Sequence, residues 1–393
     1  MKKATLIQFP VLAGLFLAGL ALGQAQRSID VDVFDAGEVK AIPVALEGFT
    51  GETLALLKFD LFVQGFEFVD KAKAQFTIKG SNAGSINGAV YDHVKRGFIL
   101  NKRYQGGSLR RQAHPFANNA VEAITGSPGI GLTKIAFRQF HGRDTEIHVA
   151  DFDGHNSKRL THDNSIAAGP EWTPNNDSLF YYSYRRHNPD IYSHNVHTGV
   201  RRIVARYSGS NISPAVSPDG RRVAMVLSKA GSPDIWVGSA NGTGLRRLTT
   251  TKEAESSPCW SPDGRWICFV SRAGGRTALY KIPANGGAMS RIRTVGAFNA
   301  TEPDWSPDGK AIVFTTMRGG GVFEICIVPP GGGNVEVLAT GEDPSWAPNS
   351  RTLMFTRRSG RKRFLSVLDV PTKRVKTLPR SFQGNCTQAA WSK

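Results

Sequence analysis

One phrase recurs along this chain and limits what it can fold into. Trp260-Ser261-Pro262-Asp263-Gly264 runs into the apolar stretch Ile267-Cys268-Phe269-Val270, and Trp305-Ser306-Pro307-Asp308-Gly309 repeats it. Val216-Ser217-Pro218-Asp219-Gly220 keeps all but the aromatic, while Trp172-Thr173-Pro174-Asn175-Asn176 and Trp346-Ala347-Pro348-Asn349-Ser350 are looser copies. Trp391-Ser392-Lys393 is a truncated sixth. The lead positions 172, 216, 260, 305, 346 and 391 lie 44, 44, 45, 41 and 45 residues apart. A period of roughly 40–45 residues with short strands in each repeat marks the blades of a β-propeller.

Ser-Pro-Asp-Gly suits a tight turn position by position. Ser bonds neighbouring backbone, Pro pre-sets φ, Asp tolerates the third place and Gly is favoured at the fourth. Each Trp strand is therefore expected to turn sharply into a second strand. A third follows, as in Asp234-Ile235-Trp236-Val237, and then a short fourth, as in Leu245-Arg246-Arg247-Leu248-Thr249. Second-strand phrases begin at Lys134, Leu179, Val223, Ile267, Ile312 and Leu353. The first has no Trp phrase before it and the last Trp phrase has nothing after it. Joining the two gives six blades, the C-terminal strand completing the blade begun near residue 133. Such closure leaves few unpaired sheet edges.

The chain is expected to divide into a leader (1–25), a small α/β domain (26–126) and the propeller (127–393), a mainly β protein overall. Lys2 and Lys3, the apolar run Val11–Leu22 and the small residues Gly23-Gln24-Ala25 read as a cleaved secretory signal peptide. No other stretch is apolar enough to span a membrane. Within 26–126, helices are expected at Thr50–Gln64, with Thr50 as cap, and at Ser108–Thr125. Pro115 would either kink the second helix or mark its first turn. Strands are expected at 42–46, 66–69, 75–79, 88–93 and 98–104, forming one mixed sheet.

Charge sharpens the picture. The formal net charge is +17, yet residues 27–126 hold 12 Lys/Arg against 11 Asp/Glu, so the excess lies in the repeats. For an exported chain this favours anionic envelope surfaces or acidic partner proteins over nucleic acid. Arg357-Arg358-Ser359-Gly360-Arg361-Lys362-Arg363 is the densest patch and reads as a solvated hairpin turn. The four cysteines, Cys259, Cys268, Cys326 and Cys386, form no Cys-x-x-Cys pair. They read as small apolar strand residues, although Cys259 and Cys268 could face each other across adjacent strands.

No enzyme signature stands out. There is no Gly-x-Ser-x-Gly elbow. None of the nine His lies beyond residue 197, so no metal cluster built from His of many blades can form. Asp151-x-Asp153-Gly154 lacks the rest of a calcium loop and reads as a hairpin turn. No catalytic residue, metal or cofactor is expected. The rival expectation is an exported propeller lyase or peptidase-like hydrolase working in the channel.

Several phrases together closely resemble the TolB family, the periplasmic propeller components of the Tol-Pal system. They are Ile124-Thr125-Gly126-x-x-Gly129-Ile130 followed by Thr133-Lys134-Ile135-Ala136-Phe137; Lys102-Arg103-Tyr104 with Leu109-Arg110-Arg111-x-Ala113-His114; and Glu146 to Thr161. The resemblance implies a non-enzymatic monomeric adaptor in the periplasm, serving outer-membrane integrity and constriction at division. It implies that the lipoprotein Pal binds at the propeller mouth. The residues expected to touch it are Asn211, Ser213, Ser256, Ser257, Thr301, Glu302, Glu342 and Asp343, on the loops that lead into the innermost strands. It further implies that TolA binds the N-terminal arm at Ile29, Asp30, Val31, Asp32 and Val33. Other outer-membrane or peptidoglycan-associated proteins are further candidate partners.

Overall fold

The computed structural model describes residues 39–379, 382 and 384–393. The first domain is a five-stranded sheet ordered β2-β1-β3-β4-β5. Its strands are β1 (Ile42–Glu47), β2 (Phe66–Phe68), β3 (Phe76–Ser81), β4 (Ile86–Asp92) and β5 (Gly97–Tyr104). β1 is parallel to β2 and β3 and the other pairs are antiparallel, the expected mixed sheet.

Two helices cover this sheet, α1 (Gly51–Phe62) and α2 (Leu109–Thr125). Thr50 sits at the N-cap of α1 but its side chain does not cap. Its amide donates to Asn82 Oδ1 instead (3.1 Å), which ties the helix start to the loop after β3. Ser108 does cap α2, accepting from the Arg111 amide at 3.3 Å. Pro115 lies inside α2, beyond its first turn, so the helix continues past a residue that cannot donate. Leu57, Leu61, Phe116, Ala117 and Ala120 form the core with Val44, Ile78 and Val90 of the sheet.

The repeats form six four-stranded blades. Blade 1 joins the C-terminal strand Cys386–Trp391 to Lys134–His141, Asp144–Asp151 and Lys158–Arg159. Blades 2 to 6 span 167–205, 211–247, 255–291, 301–340 and 342–377. The seam closes as expected: Trp391 lies opposite Ile135 and Ala390 opposite Ala136 in an antiparallel ladder. Trp391 is fully buried and donates through Nε1 to Thr133 Oγ1 at 2.7 Å. The fourth strands of blades 1, 3 and 4 are two residues long; in blade 3 only Arg246–Arg247 of the expected 245–249 pairs.

The Ser-Pro-Asp-Gly turns behave alike. In each, the Gly amide returns to the Ser carbonyl: Gly220 to Ser217 (2.8 Å), Gly264 to Ser261 (2.9 Å) and Gly309 to Ser306 (2.9 Å). Each of these glycines has a positive φ, 68–78°, where a Cβ would be strained. The Trp that ends the inner strand of blades 1, 2, 4, 5 and 6 wedges between blades, with Val216 in its place in blade 3. Trp172 Nε1 donates to Ala390 O (3.2 Å) and Trp260 Nε1 to Ala215 O (2.9 Å), each reaching the preceding blade.

The first domain packs on the face of the ring that carries these turns. Phe59, Val63 and Ile130 join Phe152, Ala347, Met354 and Trp391 in one apolar cluster. Thr352 Oγ1 donates to Val63 O (3.1 Å), and Arg374 Nη1 to Phe66 O (2.8 Å). The described residues of the first domain leave the opposite face, where the inner strands begin, free.

Candidate functional site

The inner strand of every blade carries one residue with left-handed backbone near its start. These are Gly169 (φ 61°), Ser213 (51°), Ser257 (49°), Glu302 (53°), Asp343 (54°) and Gln388 (51°). Each sits where the ladder to the second strand slips register. Pro170, Pro214, Pro258, Pro303 and Pro344 follow the first five and Ala389 the sixth. A bulge is where a strand tolerates Pro, since no ladder bond is lost there. For the five non-glycine members the conformation costs of order 1–3 kcal/mol each, and strain of this kind concentrates at functional surfaces. All six, with their followers, line one central cavity of about 370 Å3.

Side chains of this ring reach the backbone of the next blade. Gly169 N donates to Gln388 Oε1 (3.2 Å), Gln388 N to Asp343 Oδ2 (3.1 Å) and Asp343 N to Glu302 Oε2 (2.9 Å). The belt therefore runs through blades 5, 6, 1 and 2. Ser213 and Ser257 are too short to extend it, so blades 3 and 4 present small hydroxyls to the cavity. Asp343 also accepts from Thr356 Oγ1 (3.1 Å). Burial, reinforced by Glu302 and Glu342, pushes its carboxyl well above the usual range.

The deeper layer is set two residues further along each strand. Glu171 and Asp304 line the cavity there, with Lys393. Lys393 Nζ lies 3.7 Å from Glu171 Oε1, and its backbone is held by Asn176, whose Oδ1 accepts from Lys393 N at 2.9 Å. Burial pushes the Glu171 carboxyl up to about 7 despite the opposing Lys393 charge. Burial raises Asp304 as well, although its Oδ2 accepts from Trp346 N at 2.8 Å. Among the described residues, no three His, Cys, Asp or Glu side chains converge as metal ligands would.

Of the residues expected at the mouth, the fold brings Ser213, Ser257, Glu302 and Asp343 into the ring itself. Ser256 and Thr301 are half-buried immediately before their ring neighbours. Two others are occupied internally. Asn211 is fully buried, donating to Pro189 O (3.1 Å) and Tyr207 O (2.9 Å), and thereby clips its loop. Glu342 is buried against Arg358, whose Nε donates to it at 2.7 Å, with Arg363 at 3.5 Å. The arm residues Ile29, Asp30, Val31, Asp32 and Val33 lie outside the described residues, as does the leader.

Sequence reasoning missed Gly169, Gln388, Glu171, Asp304 and Lys393. For Gly169 a signal existed: the residue before a Pro that stands two positions ahead of the Trp, in Gly169-Pro170-Glu171-Trp172, Ser257-Pro258-Cys259-Trp260, Glu302-Pro303-Asp304-Trp305 and Asp343-Pro344-Ser345-Trp346.

These features define a class: a six-bladed propeller closed by its own C-terminal strand, with an α/β domain on one face and a bulge-lined mouth on the other. Residues 121–393 match the TolB beta propeller domain model, and the chain belongs to that family. It is 35% identical over 162 residues to the Tol-Pal system protein TolB of Desulfosudis oleivorans, covering 41% of this chain and 37% of the relative. It is 26% identical over 270 residues to that of Desulfotalea psychrophila, covering 60% of this chain and 61% of the relative. The chain thus aligns with less than two thirds of the length of these curated relatives. The crystal structure of TolB from Acinetobacter baumannii superposes with a TM-score of 0.81 at 23% identity, covering 90% of this chain and 97% of that one, a likeness of fold.

Proposed function

We propose that this Tol-Pal system component is a periplasmic adaptor that works by binding rather than catalysis. It holds the lipoprotein Pal at the propeller mouth and TolA through the segment 26–36, including Ile29, Asp30, Val31, Asp32 and Val33. By this it serves outer-membrane integrity and constriction at division, after export with removal of residues 1–25. The observation that carries the reading is the ring of left-handed residues at a mouth that the described residues leave uncovered, its hydrogen-bonded belt left open at Ser213 and Ser257. Small hydroxyls in a strained, preorganised rim meet a partner's backbone at low desolvation cost. Ser213, Ser256, Ser257, Thr301, Glu302 and Asp343 make the contacts, while Asn211 and Glu342 fix the loops that present them.

Two variants of the mature protein test this by calorimetric titration. Ser257→Asn keeps a residue that accepts left-handed backbone but fills the open sector, and weakens binding of the soluble Pal domain at least about tenfold, roughly 1.4 kcal/mol. Deleting residues 26–36 abolishes TolA binding and leaves Pal binding intact. Unchanged Pal affinity in the first, or unchanged TolA affinity in the second, removes the corresponding half of the proposal.

A further inference from the structure

The mouth face carries a second, outer feature. In every blade the hairpin between the second and third strands emerges on the same face as the ring, because the second strand runs antiparallel to the inner one. Each of these hairpins bears a cation: Arg143, Arg186, Lys229, Arg272, Arg318 and Arg361 in blades 1 to 6. All but Lys229 are exposed, and among the described residues these hairpins present no exposed carboxylate. Arg318 reaches Glu324 at 3.1 Å, but Arg143, Arg186, Arg272 and Arg361 have no ion-pair partner among the described residues.

The opposite face differs. Its tight turns expose Asp177, Asp219, Asp263 and Asp308 beside Arg221, Arg265 and Lys310, so charge is nearly balanced there. Cations thus exceed acids in the hairpins concentric with the mouth and not in these tight turns, although the turn face also exposes Lys134, Lys158, Arg246 and Lys373. Inside the hairpins lie the acids Glu302 and Asp343. Large apolar groups also stand out on the same face: Phe298 is 65% exposed, Met317 46% and Tyr184 37%. Arg, aromatic and Met side chains together are the composition of a protein-binding surface.

From this arrangement we infer that the six hairpins form a basic collar that recognises an acidic rim on the protein whose protruding element occupies the mouth. The inference rests on the reading of the mouth given above and adds the chemistry of the partner. A flat anionic bilayer fits less well, because it cannot enter a concave mouth and would approach Glu302 with like charge. Around a mouth, separated cations act chiefly on encounter: they steer the partner, raise the association rate and make it dependent on salt.

The test pairs the mature protein with the soluble Pal domain encoded by the same genome, followed by stopped flow at 50 and 500 mM NaCl. The double variant Arg143→Glu/Arg272→Glu reverses charge on opposite sides of the mouth at exposed positions, and Arg221→Glu on the turn face is the control. The expected result is an association rate lowered at least about tenfold at low salt, a difference that collapses at high salt, a smaller change in dissociation, and an unaffected control. Wild-type binding with an unchanged double variant overturns the collar and leaves the mouth assignment standing. Absence of wild-type binding overturns both. A collar-dependent adsorption to phosphatidylglycerol vesicles, with Pal association unchanged, overturns it in favour of a lipid surface.

Discussion

His114 of α2 places Nδ1 2.7 Å from Oδ2 of Asp60 on α1, with both side chains buried where the first domain meets the ring. Across that junction Asp153 of blade 1 ion-pairs with Arg110, lies 4.0 Å from His114 Nε2 and accepts from the His155 amide at 3.2 Å. Burial raises the Asp60 carboxyl and by itself would lower His114, but the hydrogen bond and charge of Asp60, with Asp153 beyond, carry His114 upward. His114 therefore holds its proton more firmly in the folded protein than free, with Arg110 facing the same pair of carboxylates.

The pH dependence at this junction follows from the direction of the shift. A histidine raised above 6.5 binds its proton more tightly folded than unfolded, so its stabilisation is complete below about pH 6.5 and fades as pH rises through the raised value. Because His148 and His194 are shifted the other way, the readout is the difference between wild type and His114→Gln in thermal melts, expected to shrink as pH rises from 6.5 to 8.5. His114→Gln should cost roughly 3–5 kcal/mol at pH 6, the range for breaking a buried ion pair. A difference that grows with pH across this window would contradict the assignment.

The closing strand supplies a second prediction. Trp391 is fully buried, stacks near Phe152 with ring centroids 6.2 Å apart and anchors Thr133. It thus belongs at once to the seam of blade 1 and to the surface on which the first domain rests. Trp391→Ala should destabilise by about 3–5 kcal/mol, the cost of emptying a large buried site. Trp305→Ala, whose ring bonds only within its own turn, to Gly309 O at 3.3 Å, should not loosen the first domain. Limited proteolysis between 126 and 133 separates the two, with accelerated cleavage expected for Trp391→Ala alone.

These elements also show what was readable beforehand. The blade count and the closure were legible because Trp and Ser-Pro-Asp-Gly each have one local physical job, a wedge and a turn, repeated at fixed spacing. Ser213, Ser257, Glu302 and Asp343 were reachable because loops before inner strands sit at a propeller mouth. Glu171, Asp304 and Lys393 were not. They come from blades 2 and 5 and the last residue, and only ring closure brings them together. The collar was half visible: Arg357–Arg363 stood out as a charge run, but Arg143 and Arg272 are isolated in sequence. His114 and Asp60 lie 54 positions apart and meet only through packing of the two helices.

Cysteine reactivity gives a third prediction. Cys259 and Cys268 are opposite one another in the ladder of blade 4, both buried and both free. The contact with Cys268 and burial raise the Cys259 thiol well above its ordinary value. Burial pushes Cys326 and Cys386 up to about 12. Since the thiolate is the nucleophile, these three should resist iodoacetamide in the native protein at pH 8, and Cys268 should resist because it is fully buried. Mass spectrometry should find modification appearing together with global unfolding in urea. Fast native labelling of any one would show local opening of its blade.

A fourth prediction concerns the deep layer of the channel. Burial moves the Glu171 carboxyl from 4.5 to about 7, against the pull of Lys393 and with a push from Asp304. An acid raised on folding holds its proton longer folded than unfolded. Its ionisation therefore costs stability progressively as pH climbs from about 4.5 to about 7, and the loss levels off above that. Glu171→Gln keeps the shape and removes the titration, so its stability relative to wild type should grow through that window and then become constant. Carbon-detected titration of the labelled Glu171 side chain reports the midpoint directly. A midpoint near the ordinary glutamate value would mean that water fills the channel well enough to solvate the carboxylate. A partner element carrying a cation into the mouth should lower the midpoint, so repeating the titration with Pal bound tests whether occupancy reaches this depth.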